Sequence, residues 1–213
     1  MDAERRNIPL YAPWNAMGVR AVFLVGFMAS GKSSLGRELA RRMEWDFVDL
    51  DARIESRERQ TISEIFRVRG ESEFRLIEAA ALRDLTESLE RDTVIALGGG
   101  AFAHPKNLEL LKNHELLQTW PSVFLDAPAD ELWRRSLADA TKRPLRKDPD
   151  EFARLYESRL PFYRQATVTV VTLGKDPASL CAEIERTLQF RGENGAADSQ
   201  QTPSTRFGTG ESQ

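Results

Sequence analysis

Residues 21–43 read AVFLVGFMASGKSSLGRELARRM, and this stretch decides the fold. An apolar, β-prone run (AVFLV, 21–25) leads into Gly26-Phe27-Met28-Ala29-Ser30-Gly31-Lys32-Ser33, which matches GxxxxGKS. Leu35, Leu39 and Met43 then recur at helical spacing. A short glycine pattern with an incidental Lys-Ser occurs in unrelated chains, but its place between strand and helix favours a phosphate cradle. Glycines let successive backbone N–H groups converge on phosphate oxygens, and the helix N-terminus adds partial positive charge. Gly26, Met28, Ala29, Ser30, Gly31, Lys32, Ser33 and Ser34 are therefore candidate nucleotide contacts, with Lys32 reaching the β- and γ-phosphates. Ser33 can give a hydroxyl oxygen to Mg2+, which makes ATP with magnesium the implied pair. Ala29 predicts that its position is not left-handed, because a residue forced to positive φ would prefer to be glycine.

Further β-prone runs follow at DFVDL (46–50), TVIAL (93–97), SVFLD (122–126) and TVTVV (167–171), giving about five strands. Helical spacing separates them, as in Ile65, Phe66, Phe74, Ile77, Ala81, Leu85 and Leu89. Strands apolar on both faces, alternating with helices, predict an α/β fold with a central parallel sheet covered on each side. Ligands in such folds sit beyond the carboxyl ends of the strands, so the loops after Val25, Leu50, Leu97 and Asp126 are the ones to inspect.

The 213 residues suit one domain. Residues 1–18 and 191–213 lack a sustained period and read as loose tails around a body at 19–190. A net charge of −3 gives no broad attraction to nucleic acid or to an anionic bilayer. No signal peptide and no apolar run of spanning length are evident, which points to the cytoplasm; a monomer is the default. Cys181 lies among Leu180, Ile184 and Leu188 and reads as core. His104 and His114 belong to no set with zinc-like spacing.

The loop motif names a ligand and not a reaction, since GTPases, motors, transporters and kinases share it. No NKxD-like guanine signature follows SVFLD, and the chain has little room for lever arms, which favours a small-molecule kinase. Asp49-Leu50-Asp51 closes the second strand, where a period of two would send both carboxylates to one face of the crevice. One could hold hydrated magnesium and the other a substrate hydroxyl; alternatively Asp51 caps the helix that follows.

Gly70-Glu71-Ser72-Glu73-Phe74-Arg75 and Glu78 come next, then Gly98-Gly99-Gly100, TKRPLRKDPD (141–150) and RLPFY (159–163). With DLD (49–51), GESEFRLIE (70–78), GGG (98–100), RPL (143–145) and RLPFY in this order, the sequence closely resembles the shikimate kinases over roughly residues 20–188. The resemblance implies a P-loop, nucleoside-monophosphate-kinase-like three-layer fold. It implies substrate-binding helices over about 51–89 and a lid over about 138–150. It further implies that Asp51 contacts ring hydroxyls, that Arg75 and Arg159 hold the acceptor's carboxylate, and that Gly98, Gly99 and Gly100 let backbone approach it. Glu78 would hold the Arg75 guanidinium and count among the acceptor-binding residues, or else form a solvated helix ion pair. Arg143 would close over the transferring phosphoryl group, Arg135 would contact the nucleotide, and Asp49 would reach magnesium through water. Arg134 and Lys142 read as solvated charges. The implied reaction is ATP-dependent phosphorylation of shikimate on its 3-hydroxyl. Alternatives are a kinase for gluconate or another sugar acid, and a non-catalytic sensor built on the same domain.

Overall fold

The computed structural model describes residues 21–113, 120–138 and 148–198. Five parallel strands form one sheet in the order β2-β3-β1-β4-β5. They are β1 (Ala21–Val25), β2 (Asp46–Asp49), β3 (Thr93–Ala96), β4 (Ser122–Asp126) and β5 (Val168–Val171). All five coincide with the apolar runs read from the sequence, within a residue at their ends. The helices are α1 (Lys32–Met43), α2 (Leu50–Glu58), α3 (Ile62–Glu87), α4 (Pro105–Asn113), α5 (Ala129–Ala138), α6 (Pro149–Tyr163) and α7 (Pro177–Asp198).

β1 is buried along its whole length, and its alternating side chains divide the interior in two. Ala21, Phe23 and Val25 face one way, into a core shared with Leu50, Ile54, Phe74, Leu82 and Phe152 of α2, α3 and α6. Val22 and Leu24 face the other way, against Leu35 and Leu39 of α1 and Leu180, Cys181, Ile184 and Leu188 of α7. A strand of period two buried on both faces requires helices above and below, and the three layers follow from that. Cys181 is buried, as its neighbours in sequence imply. α7 continues past residue 190, where the apolar helical spacing ends. Among the described residues no helix is long and apolar enough to cross a membrane.

The strand order positions the site. β1 lies between β3 and β4, with the chain turning to β2 on one side and to β5 on the other. The crevice opens at such a reversal, beyond the carboxyl end of β1, and there the glycine loop sits. α3 lines one side of this crevice. Thr61 caps its start through a reciprocal pairing with Glu64, and Gly70 (φ 80°, ψ 171°) interrupts its helical backbone. A left-handed break of this kind needs glycine, and nothing lies within 4 Å of where a Cβ would stand.

Candidate active site

The glycine loop runs from Gly26 (φ 147°) to Gly31 (φ 91°), which is also the N-cap of α1. Ala29 has φ 62°, so the expectation that this residue avoids the left-handed region is wrong. The loop's path sets the angle, and alanine tolerates it at a penalty of about 1 kcal/mol. Beneath the loop Phe27 is fully buried edge-on against Phe152 and Tyr156, which ties the loop's base to α6. Lys32 Nζ donates to the carbonyls of Gly26 and Phe27, both at 2.8 Å. The ammonium is thus held over the loop it follows. Ser33 Oγ donates to Asp49 Oδ2 at 2.5 Å.

Asp49, and not Asp51, caps α2: its Oδ1 accepts from the backbone N–H of Asp51 (3.0 Å) and of Ala52 (3.3 Å). β2 ends at Asp49 and Leu50 already begins the helix, so the period-two argument for the pair is corrected as well. The two carboxylates reach the same space because one stands at the strand's end and the other on the first helical turn. A cavity of about 240 Å3 is lined by Ala29, Gly31, Lys32, Ser33, Ser34, Asp49, Asp51, Leu97 and Arg135.

A second, larger cleft of about 580 Å3 shares Ser33, Asp49 and Asp51 with the first and extends under α3. Met28, Ile62, Phe66 and Phe74 line it with apolar surface, while Arg75, Glu78, Gly99, Gly100 and Arg159 supply polar groups. Arg75 is only 8% exposed. Its guanidinium donates to Glu78 Oε2 and Glu71 Oε1, each at 2.9 Å, and lies 5.1 Å from the centre of the Phe74 ring. Arg159, 9% exposed, donates to the Gly99 carbonyl at 3.3 Å and lies over the Phe27 ring. Two buried guanidiniums in one cleft supply the paired N–H donors that suit a planar anion.

A sequence model of the family described as Shikimate kinase matches residues 28–189, well over half of the chain. The chain belongs to the shikimate kinase family. A shikimate kinase from Geobacter metallireducens is 40% identical over 176 residues, 81% of this chain and 94% of that protein. The solved shikimate kinase of Acinetobacter baumannii, in complex with shikimate, superposes with a TM-score of 0.73 at 30% identity, over 82% of this chain and 95% of its own. A gluconokinase from Sinorhizobium meliloti covers 84% of this chain and 97% of its own, with a TM-score of 0.58 at 19% identity, a likeness of fold alone.

In this member of the shikimate kinase family, Gly98 and Gly100 are glycines for reasons of space. A Cβ on Gly98 would overlap Asp51 Oδ1 and stand 3.0 Å from Glu78 Oε1. One on Gly100 would come within 2.6 to 2.9 Å of the Arg75 guanidinium. Glu78 is 1% exposed, so it is no solvated ion pair. Burial pushes its carboxyl above the usual carboxylate range and the nearby Asp51 adds to this, while Arg75 and a hydrogen bond from Asn107 pull the other way. For Arg75, burial works against the charge, but Glu78 and Glu71 together outweigh it and hold the guanidinium cationic. Such a buried pair adds little net stability and chiefly fixes orientation.

Arg135 donates to Glu131 at 2.7 Å and to Thr172 Oγ1 at 3.3 Å, at the edge of the smaller cavity. Arg134, on the same helix, is an exposed cation paired with Glu131, in line with its reading as a solvated charge. Arg143, Lys142, His114 and most of the lid lie outside the described residues. Sequence reasoning missed Asn107, Tyr163 and Phe27. Tyr163 donates from its hydroxyl to the Gly99 carbonyl, and burial raises the phenol to about 12. It ends the RLPFY motif, a signal available beforehand. Nothing local marks Asn107, which becomes visible only when α4 packs on α3.

Proposed function

We propose that the protein transfers the γ-phosphoryl group of ATP to the 3-hydroxyl of shikimate, forming shikimate 3-phosphate for aromatic amino-acid (chorismate) biosynthesis. The observation that carries this reading is the pair of buried arginines, Arg75 and Arg159, in one cleft with Asp51 and next to the phosphate loop. A small ring acid whose carboxylate meets both guanidiniums turns its hydroxyls toward Asp51 and Lys32. The shikimate complex of the Acinetobacter baumannii relative supports the choice of acceptor.

In this reading the loop from Gly26 to Ser34 holds the nucleotide phosphates, and Arg135 meets the nucleotide's outer end. Lys32 lies against charge that develops on the transferring group, and Arg143 of the lid acts on the same group. Asp51 accepts a hydrogen bond from the acceptor hydroxyl and aligns it. Loose phosphoryl-transfer transition states require little early proton removal, so alignment is the larger part of its work. Gly98, Gly99 and Gly100 keep the acceptor face open, and Glu78 holds Arg75.

Magnesium fits the residues present. The Ser33 hydroxyl and Asp49 Oδ2 converge at the cavity, and this ion takes only one or two protein oxygens beside nucleotide phosphates. Ser33 would hold it directly and Asp49 through water, and its charge would offset that of the phosphates. The protein acts as a cytoplasmic monomer in this proposal, without nucleic-acid or membrane partners.

The test is ADP release by the purified protein with MgATP and either shikimate or gluconate, beside a Lys32→Ala control. Shikimate-dependent release that disappears in the control is the expected result. Turnover with gluconate and not shikimate, or with neither acid while ATP still binds, refutes the proposal.

A further inference from the structure

Asn107 lies on the first turn of α4 with no exposed surface. Its Nδ2 donates to Glu78 Oε2 at 3.1 Å, while its Oδ1 is buried without a hydrogen-bond partner. A buried amide with one orphaned end is a poor device for stability, because an apolar side chain of the same size would avoid the desolvation penalty. What the amide provides is a donor aimed at one carboxylate oxygen. That oxygen already accepts from Arg75, so Asn107 and Arg75 grip the same atom from α4 and α3. Glu78 Oε1 is left over, also buried and unpartnered, beside Gly98.

The route from the glycine turn to Asn107 is short and continuous. Ala101 donates back to the Gly98 carbonyl, Ala103 to that of Gly100 and Leu108 to that of His104, which carries the chain straight into α4. Leu108 and Leu111 then join the core of Phe74, Ala81 and Leu82 on α3. The turn that meets the acceptor and the helix that carries Arg75 are thus linked through the Asn107–Glu78 contact, set beside apolar packing.

We infer that Asn107 is a positioning residue: by donating to Glu78 it fixes the carboxylate that aims the Arg75 guanidinium at the acceptor's carboxylate. It touches neither substrate. The inference rests on the reading of this cleft as the acceptor site. The groups that face Glu78 are Arg75 from its own helix, Asp51 from α2, Asn107 from α4 and the Tyr163 hydroxyl from α6. Among them Asn107 is the neutral group that donates to Glu78, the Tyr163 hydroxyl donating to the Gly99 carbonyl instead, so loss of Asn107 weakens the hold on the ionised acid without removing a charge.

Asn107→Leu and Asn107→Asp test this, with wild-type turnover of shikimate or gluconate measured first to settle the acceptor separately. For whichever acid the wild type uses, KM rises about tenfold or more in Asn107→Leu, while KM for ATP and the melting temperature hold or the latter rises. In Asn107→Asp the defect is largest at high pH, where two carboxylates face each other. It eases on the acid side, where a protonated carboxyl can again donate, and Asn107→Leu shows no such recovery. Independently of turnover, 13C titration of side-chain carboxyls in the free protein finds Glu78 taking its proton at higher pH in Asn107→Leu. An unchanged acceptor KM in both variants, an unmoved Glu78 titration, or losses that fall equally on ATP and on thermal stability overturn the inference.

Discussion

Replacing Gly100 by alanine tests whether the position of Arg75 governs acceptor binding. The new Cβ would stand 2.6 Å from Nη1, 2.7 Å from Nη2 and 2.9 Å from Cζ of the guanidinium. Comfortable contact lies near 3.5 Å, so the group must retreat by about 1 Å. Its bonds to Glu78 and Glu71, both 2.9 Å, and the Phe74 ring beside it leave little slack in that direction. A charge-assisted hydrogen bond to a buried anion contributes roughly 1.5–3 kcal/mol, which converts to about ten- to a hundredfold in KM for shikimate. Gly100 does not have a positive φ, so alanine adds no backbone strain. The atoms it meets belong to the tip of one side chain, and stability changes by no more than about 1 kcal/mol. Steady-state kinetics with each substrate varied in turn, beside a thermal melt, reads all three quantities. A wild-type KM for shikimate in Gly100→Ala would show that Arg75 does not set acceptor affinity; equal losses for ATP and shikimate would show a general collapse of the cleft.

Three further outcomes follow from the geometry. Asp49→Ala loses both the α2 cap and the carboxylate beside Ser33, whereas Asp49→Asn keeps a capping oxygen; the alanine variant should melt lower by about 1 kcal/mol, and both should need more magnesium for half-maximal rate, with an unchanged magnesium requirement in Asp49→Asn counting against the ion's proposed place. Ala29→Gly relieves a left-handed alanine at φ 62° and should be stabilising by about 0.5–1 kcal/mol in a denaturant melt; a lower midpoint would mean that the methyl group contributes packing that outweighs the strain. Glu78, whose carboxyl burial raises, binds its proton more readily folded than unfolded. Its share of stability is therefore greatest below the ordinary carboxylate range and declines as pH rises through the raised value. Melts of wild type and Glu78→Gln should diverge against the wild type as pH rises above the ordinary carboxylate range, and parallel curves would refute that assignment.

Much of the fold was legible because its signals are local. Each strand is a short apolar run, and the glycine loop carries its chemistry in eight consecutive residues. Chain order alone could not say that β1 sits between β3 and β4, since parallel pairing joins residues far apart in sequence. The errors arose where two local rules competed. Asp49 and Asp51 look like a strand pair, yet the helix begins between them, and the cap falls to the residue still in extended backbone. Ala29 takes a left-handed angle that its side chain resists, because the loop around it is closed at both ends by glycines. The polar residues of the acceptor cleft are legible through family motifs, the Arg75–Glu78 pairing included, but their burial and the apolar lining from Ile62 and Phe66 are not.

By itself, then, the sequence determined a phosphate loop between strand and helix, a two-faced parallel sheet and an ordered series of polar motifs. The resemblance put Arg75 and Arg159, 84 positions apart, at one site, but only the tertiary structure decided that both are buried there, one held by Glu71 and Glu78 and the other by the Gly99 carbonyl. It also decided that Gly98 and Gly100 are small to make room for Asp51 and Arg75, and that Asn107 reaches Glu78. The reason is physical: periodicity and backbone preference act over a few residues. Burial, close approach and the pairing of an ion in the interior depend on which helices the core brings together.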